Sequence, residues 1–396
     1  MIFLGFTLSN SFATMDETKL LIIGAGPFGL AIAAQASHLG IDHLIVGKPM
    51  EFWRNNMPKG MYLRSACDWH LDPTGIHTIE NFLESQGKTA RDVEPLSLEF
   101  YQGYAEWFRK QKQIEPLPVY INQLDHADAN HFIATTSEGN TIVAQHVALT
   151  PGFRHFTHAP EELTSRLPAR SYSHTCNFVD FENAANKRFL IIGGRQSAFE
   201  WAALLLEAGA SAVHLSHRHP SPAFTTSEWA WVTPLVDGIV ENPNWFRRLS
   251  QEERDEINQR LWAEGRLKVE PWLEPRLRND RVRFWPQTEV VKCREEEGEL
   301  QVQLSNGETI SVDKIILATG YKVDISRLPI LTSGNLGEQI ATRNGFPILD
   351  DHFQTSVPGL FITSMPATQD FGPFFGFTIA VRASAILICE AIGTRD

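Results

Sequence analysis

Residues 19–46 read KLLIIGAGPFGLAIAAQASHLGIDHLIV, and their pattern decides the fold. An apolar β-type run (19–23) enters GAGPFG, an alanine-rich amphipathic helix follows and stops at Gly40, and IDHLIV is a second buried strand. Strand, glycine turn, helix and strand within about 30 residues make a βαβ unit, the setting that gives a G-x-G-x-x-G its meaning. Gly24 permits the tight turn, Gly26 lets backbone approach a pyrophosphate, and Gly29 lets helix and strand pack closely. The phosphate then sits at the helix N-terminus, beside Ala25, Pro27 and Phe28. The bland alternative is a glycine turn in a parallel sheet with no ligand. The acid expected about 20 positions on, to hold a ribose, is missing. Gly47 stands there in LIVGKP, leaving Lys48 or Glu51 as substitutes.

The unit recurs. Residues 188–192 (RFLII) run into GGRQSAFEWAALLLEAGA and then SAVHLSHR, so the expected fold class is α/β with two Rossmann-like dinucleotide-binding domains. Between the units lie an aromatic-rich helical stretch (51–115) and a strand-rich stretch (117–149); Asn306-Gly307 signals a hairpin further on. The chain has 396 residues and a net charge of −12, which argues against nucleic acid or an anionic membrane surface as the main partner. Cys67, Cys176, Cys293 and Cys389 stand apart with no C-x-x-C and no His/Cys cluster, so redox-dithiol and zinc readings fall and no metal is expected. Residues 1–14 are apolar but lack the basic n-region of a signal peptide and are too short to span a bilayer. A cytoplasmic location is expected. A homo-oligomer is left open.

The pairing of GAGPFG with a second unit, the ALTPGF (148–153) and LATGY (317–321) segments that close the two units, and FWR (52–54) resemble the flavin-containing monooxygenases and the related N-hydroxylating monooxygenases. The resemblance covers nearly all of residues 16–396. It implies FAD on the first unit and NADPH on the second, with a flavin reduced by hydride. O2 is then captured as a C4a-(hydro)peroxyflavin that oxygenates a small soft nucleophile, an amine or a sulfide. The domains expected are an N-terminal extension (1–15), a first FAD part (16–155), an NADPH domain (156–318) with a helical insertion at 219–280, and a second FAD part (319–396), so that the second domain is inserted in the first. By the resemblance Gly24, Gly26 and Gly29 form the FAD pyrophosphate turn, and Trp53 and Arg54 lie along the adenosine arm. Thr319 and Gly320 mark the re-entry into the FAD domain, and PATQDFGPFFGF (366–377) brings Asp370 near the flavin's pyrimidine end. HTCNF (174–178) matches half of the family's linker, with Pro168 and Arg170 at its Phe and Gly positions.

The second turn departs further. GGRQSA puts Gly193 first, then Gly194, with Arg195 at the middle glycine, followed by Gln196, Ser197 and Ala198. An arginine there either blocks a pyrophosphate or offers it a guanidinium. The next strand end carries no acid for a ribose; His217 and Arg218 suit a 2′-phosphate, which favours NADPH over NADH. MPKGMYLRSACDWHLDP (57–73) supplies the catalytic candidates Arg64, Asp68 and His70, set against a reading in which His70 and Asp72 cap a helix and Trp69 is core. Ser65 and Ala66 replace the TN pair that steadies the oxygenated flavin in the monooxygenases. Thr225, Ser227, Glu228 and Trp229 of the insertion are substrate-side candidates. Phe374, Phe375 and Phe377 either wall an apolar pocket or are plain core.

The expected activity is an FAD-dependent, NADPH-consuming monooxygenase whose partners are a small-molecule substrate and O2. The alternatives are an NADPH oxidase or flavin reductase that releases peroxide, which the missing TN pair favours, and a non-redox FAD-binding protein.

Overall fold

The computed structural model describes residues 15–128 and 131–393, so the extension expected over 1–15 lies, Met15 apart, outside the described residues. The first sheet holds β1 (Met15–Ile23), β2 (His43–Val46), β3 (Ile121–Asp128), β4 (His131–Thr136) and β5 (Thr141–Leu149), in the order β2-β1-β5-β4-β3. β1 runs parallel to β2 and to β5, with Ile23 opposite Val46 on one side and Leu149 on the other. That register brings the ends of three strands to the GAGPFG turn.

The second sheet is wholly parallel: β6 (Tyr172–His174), β7 (Arg188–Ile192), β8 (Ala212–His217), β9 (Val282–Pro286) and β10 (Lys314–Leu317), ordered β9-β8-β7-β10-β6. β11 (Leu360–Ile362) then returns to the first sheet, parallel to β5. A three-stranded antiparallel sheet (Val290–Glu296, Glu299–Leu304, Thr309–Val312) turns at Asn306-Gly307, where Gly307 has φ +91°.

Among the described residues five helices exceed two turns: α1 (Pro27–His38), α2 (Leu98–Gln111), α3 (Gln196–Glu207), α4 (Gln251–Arg266) and α5 (Val381–Gly393). α1 is buried from Pro27 to Ala36 because the sheet covers one side and α5 the other; Cys389 of α5 reaches the Ile32 carbonyl at 3.7 Å. α2 shows the helical stripe its sequence carries, burying Leu98, Tyr101, Tyr104, Ala105 and Phe108, with Ser97 capping the Phe100 amide at 3.1 Å. α4 buries no residue and opens with a Ser250/Glu253 capping box, the solvated helix its charges call for.

Residues 219–280 are tied across to the first unit by arginines. Arg247 donates to the Leu349 and Asp350 carbonyls at 2.8 and 3.1 Å and pairs with the Asp351 carboxylate. Arg382 of α5 meets Asp237 at 3.6 Å. Arg64 makes the third tie.

Candidate nucleotide sites and the face between them

The first turn is a backbone cradle. A Cβ on Gly29 would stand 1.8 Å from the Gly24 carbonyl oxygen, and one on Gly24 would stand 2.4 Å from Thr150 Oγ1. Neither position admits a side chain. Gly26, by contrast, has nothing within 4 Å of where its Cβ would be, and as the N-cap of α1 it leaves the first helical amides without a side-chain cap. An open position beside uncapped amides at a helix N-terminus fits a pyrophosphate. Thr150, from ALTPGF, closes the cradle from below by donating its hydroxyl to the Ile23 and Gly24 carbonyls at 3.0 and 3.1 Å.

Gly47, where an acid was expected, has φ +126° and lies so close that its Cβ would be 3.1 Å from the Ala25 amide nitrogen. A carboxylate side chain is sterically unwelcome there. Glu51 stands just beyond, accepting from the Tyr120 hydroxyl, and Lys48 lies over the Tyr120 ring at 5.1 Å. Tyr120 comes from the segment before β3 and escaped the sequence reading, because nothing local links it to Glu51. Trp53 stacks on Tyr101 at 4.8 Å and 22°, while Arg54 makes only a 3.9 Å contact with Glu106 on the surface.

In the second turn Gly193 is as tightly enclosed, its Cβ falling 2.5 Å from the Ala318 carbonyl oxygen. Arg195 is the N-cap of α3 and offers no side-chain cap to the helix, while Gln196 and Ser197 begin its first turn. Arg195 is open to solvent yet recessed: the surrounding protein first, then the charges of Arg266 and Arg218, lower its pKa to about 10. Arg195, Arg218 and Arg266 have no carboxylate partner among the described residues. Three guanidinium groups without carboxylate partners lie near a helix N-terminus in a chain of net charge −12, a cluster suited in charge to an anion. Arg266 ends α4, some seventy residues from the motif, and was not legible from the sequence. His217 departs from expectation. It is 3 % exposed, its Nδ1 engages the His219 carbonyl at 2.8 Å, and burial lowers its pKa, so it packs under the turn as a neutral ring while Arg218 stays on the surface.

The two units meet where the LATGY segment returns. The Thr319 hydroxyl donates to the His158 carbonyl, and the His158 amide donates to Gly320 at 2.9 Å. His174 of HTCNF accepts from the Cys176 amide at 3.1 Å through Nδ1 and meets the Gly320 carbonyl at 3.0 Å through Nε2, which fixes a neutral ring.

Of the three catalytic candidates, none presents a free ionised group to a common centre. The Arg64 guanidinium is consumed by Glu270 (2.8 Å), the Gly265 and Glu264 carbonyls (both 3.1 Å) and Ser227, with Trp229 5.3 Å away across its face. Asp68 is exposed, and its carbonyl accepts from Arg382 at 3.0 Å. The His70 ring is held neutral, its pKa brought down to about 4 by burial and then by the Arg382 charge. It lines a cavity of about 250 Å³ with Cys67, Asp68, Thr78, Thr233, Asp237 and Arg382. Asp72 is a wholly buried loop staple. Burial pushes its pKa up, but Lys112 at 2.9 Å and the His77 and Thr74 groups outweigh that and take it down to about 2.

Asp370 is likewise committed inward, accepting from Arg343 at 2.8 Å and from the Leu349 amide at 2.9 Å. Phe374 and Phe375 are fully buried, Phe375 against Phe353 and Phe371, and Phe374 edge-on to Trp231 at 5.3 Å, so they are core. Phe377 is 40 % exposed and lies between Trp69 (6.5 Å) and Trp229 (6.4 Å), an aromatic wall beside Arg64. Ser227 is buried, donating to the Glu264 carbonyl at 2.8 Å; Thr225 and Glu228 are exposed beside it.

The pyridine nucleotide-disulphide oxidoreductases match in two segments, residues 21–260 and 255–363. The chain belongs to that family. The α/β two-nucleotide fold, the flavin-dependent oxidoreductase class and the FAD and NADP cofactors expected from the sequence hold within it. The FAD-dependent urate hydroxylase of Xanthomonas campestris is 35 % identical over 249 residues, 58 % of this chain and 48 % of that one. A ferredoxin–NADP reductase of Paraburkholderia phymatum is 27 % identical over 224 residues, 56 % of this chain and 57 % of that protein. The chain thus spans about half the length of these two curated relatives. In fold it resembles the ornithine N-hydroxylase of Kutzneria sp. 744, with a TM-score of 0.78 at 15 % identity over 96 % of this chain and 99 % of that one. The likeness to the N-hydroxylating monooxygenases drawn from the motifs therefore holds at the level of fold. Among the described residues no helix is long and apolar enough to cross a membrane, and no group of three or more acidic, His or Cys side chains is placed to hold a metal.

Proposed function

We propose that this family member is an NADPH-consuming FAD monooxygenase that oxygenates a small, electron-rich nucleophile. Amines and sulfides are the substrates its motifs suggest, and the urate hydroxylase among its relatives adds electron-rich nitrogen heterocycles. The observation that carries the reading is the clasped insertion. Arg64, Arg247 and Arg382 hold residues 225–265 over the first unit, so that Trp229 and the buried Trp69 flank the partly exposed Phe377 as an apolar wall. An apolar wall of this kind suits oxygen transfer, which fails when water competes.

In this reading Arg195, Arg218 and Arg266 take the 2′-phosphate, the uncapped amides of α3 take the pyrophosphate of NADPH, and the Gly26 opening takes that of FAD. FAD held there would supply the redox and oxygen chemistry. The chain itself orients, excludes water and keeps His70 unprotonated near neutral pH. The nested division into FAD parts (16–155, 319–396) and an NADPH domain (156–318) is part of the proposal, supported by the way β11 rejoins β5 after the second sheet is complete.

A dithiol reductase is disfavoured because all four cysteines are buried, with burial first among the causes that push Cys67 and Cys389 up to about 12 and Cys293 to about 11. A flavin reductase or peroxide-releasing oxidase is the second reading, favoured by Ser65 and Ala66 where a stabilising pair is expected. The deciding experiment is anaerobic reduction of the FAD-loaded protein by NADPH, followed by ¹⁸O2 with an amine, a sulfide or urate present. Bleaching of the flavin and ¹⁸O in a product are expected. Bleaching with quantitative hydrogen peroxide for every nucleophile would select the second reading.

A further inference from the structure

A continuous polar link joins the second nucleotide turn to the aromatic wall. Gln196 is the first residue of α3, at the turn itself. Its Oε1 accepts from the Glu270 amide at 3.1 Å, and the Glu270 carboxylate accepts from Arg64 Nε at 2.8 Å. Arg64 then grips Ser227 and the Glu264 and Gly265 carbonyls and lies over Trp229 at 5.3 Å. Glu264 in turn accepts from the Glu228 amide at 2.7 Å, so the segment before Trp229 hangs on the same end of α4. Glu270 is 4 % exposed, and polar contacts shielded this way are costly to leave unmade.

The chemistry of a carboxamide makes the link responsive. A phosphate oxygen accepts hydrogen bonds only, so an anion at the start of α3 attracts Gln196 Nε2, which otherwise reaches Glu200 at 3.4 Å. Turning Nε2 toward the anion turns Oε1 away from the Glu270 amide. Glu270 must then find a new partner, and Arg64 moves with it.

We propose that Arg64 is a positioning residue which, through Glu270 and Gln196, couples occupancy of the second nucleotide turn to the placement of Trp229 and residues 225–232. The proposal rests on NADPH binding at that turn. Its test uses FAD-loaded protein and NADP⁺, with affinity measured by calorimetry and amide hydrogen exchange followed across 225–232. In the unaltered protein NADP⁺ is expected to change exchange in that segment by about fivefold or more, in the range of ordinary couplings between sites. Arg64→Lys keeps the charge but loses the fork; Gln196→Met cuts the far end without touching the clasp. Both are expected still to bind NADP⁺, Gln196→Met more weakly for want of its Nε2 donor, and at saturating NADP⁺ to lose the change in 225–232. The proposal is overturned if NADP⁺ binds the unaltered protein and exchange there does not move, or if both variants respond as it does. Failure of NADP⁺ to bind the unaltered protein at all would be seen by calorimetry and would remove the cofactor reading together with the coupling.

Discussion

In the first turn the Gly24 amide donates to Val46 and the Thr150 amide to Ile23; in the second the Gly193 amide donates to Ser216 and the Ala318 amide to Ile192, all four at 2.9 Å. The backbone is drawn twice from one plan. The side chains are not. Ala25 faces Gly47 in the first turn, whereas the matching pair in the second is Gly194 facing His217, where a Cβ on Gly194 would come within 2.6 Å of the histidine's own. The bulk has changed sides across the same gap. Gly26 leaves its helix start bare, and its counterpart Arg195 fills that position with a cation. In the proposed function, sheet hydrogen bonds set where a nucleotide lies, and these three side-chain positions set which one.

The largest expected break in this comparison comes from Gly29→Val. Its side chain would occupy the Gly24 carbonyl, so the variant should purify without flavin, read as the ratio of flavin to protein absorbance, while NADP⁺ binding to the second turn is retained. Retention of flavin would mean that the first turn is not the FAD site.

Acid separates the halves next. His70 in the first unit and His214 in the second are both held neutral, brought to about 4 mainly by burial, and both rings accept a hydrogen bond at Nδ1, from the Asp72 amide at 3.2 Å and from Trp285 at 3.1 Å. A histidine whose folded pKa lies below its unfolded value near 6.5 costs stability as pH falls from about 6.5 to about 4, because the unfolded chain takes up the proton first. At about 1.4 kcal/mol per pKa unit, discounted for solvent screening, each contributes about 2 kcal/mol of acid destabilisation. His70→Gln and His214→Gln should each flatten denaturation midpoints measured between pH 6.5 and 4; midpoints as steep as those of the unaltered protein would refute the assignment.

Arg195→Gly makes the second turn resemble the first. Loss of a charge-assisted contact to phosphate is expected to weaken NADP⁺ by about 10- to 100-fold and leave NAD⁺ little changed. A tighter NADP⁺ complex would show instead that the arginine obstructs the turn. Thr150→Ala, which copies Ala318 into the first turn, removes two hydroxyl bonds to carbonyls. It should cost about 1 kcal/mol, a small fall in melting temperature of the FAD-loaded protein.

The doubly wound scaffold was legible because its signal is local. Apolar runs end at glycines, helices follow at once, and the register of β1 with β2 and β5 needs no distant information. The site was legible only where it too is local. Gly26 and Arg195 follow from their motifs, but Arg266, Tyr120 and Glu270 reach the turns from other elements, and no spacing announces them. Phe374 and Phe377 lie three positions apart in one glycine-flanked aromatic run, yet one is core and the other exposed. Whether a ring packs or greets a ligand is decided by Trp231, Trp229 and Trp69, which come from two distant segments.

The late return of β11 and α5 bears on how the chain is made. The second sheet owns all its strands once residue 317 has been synthesised, whereas the first lacks β11, and α1 lacks the α5 surface that covers it, until residue 393. On the ribosome the inner unit is therefore complete while the outer one still shows the apolar flank of α1 to solvent. The first half to be translated is the last to be finished.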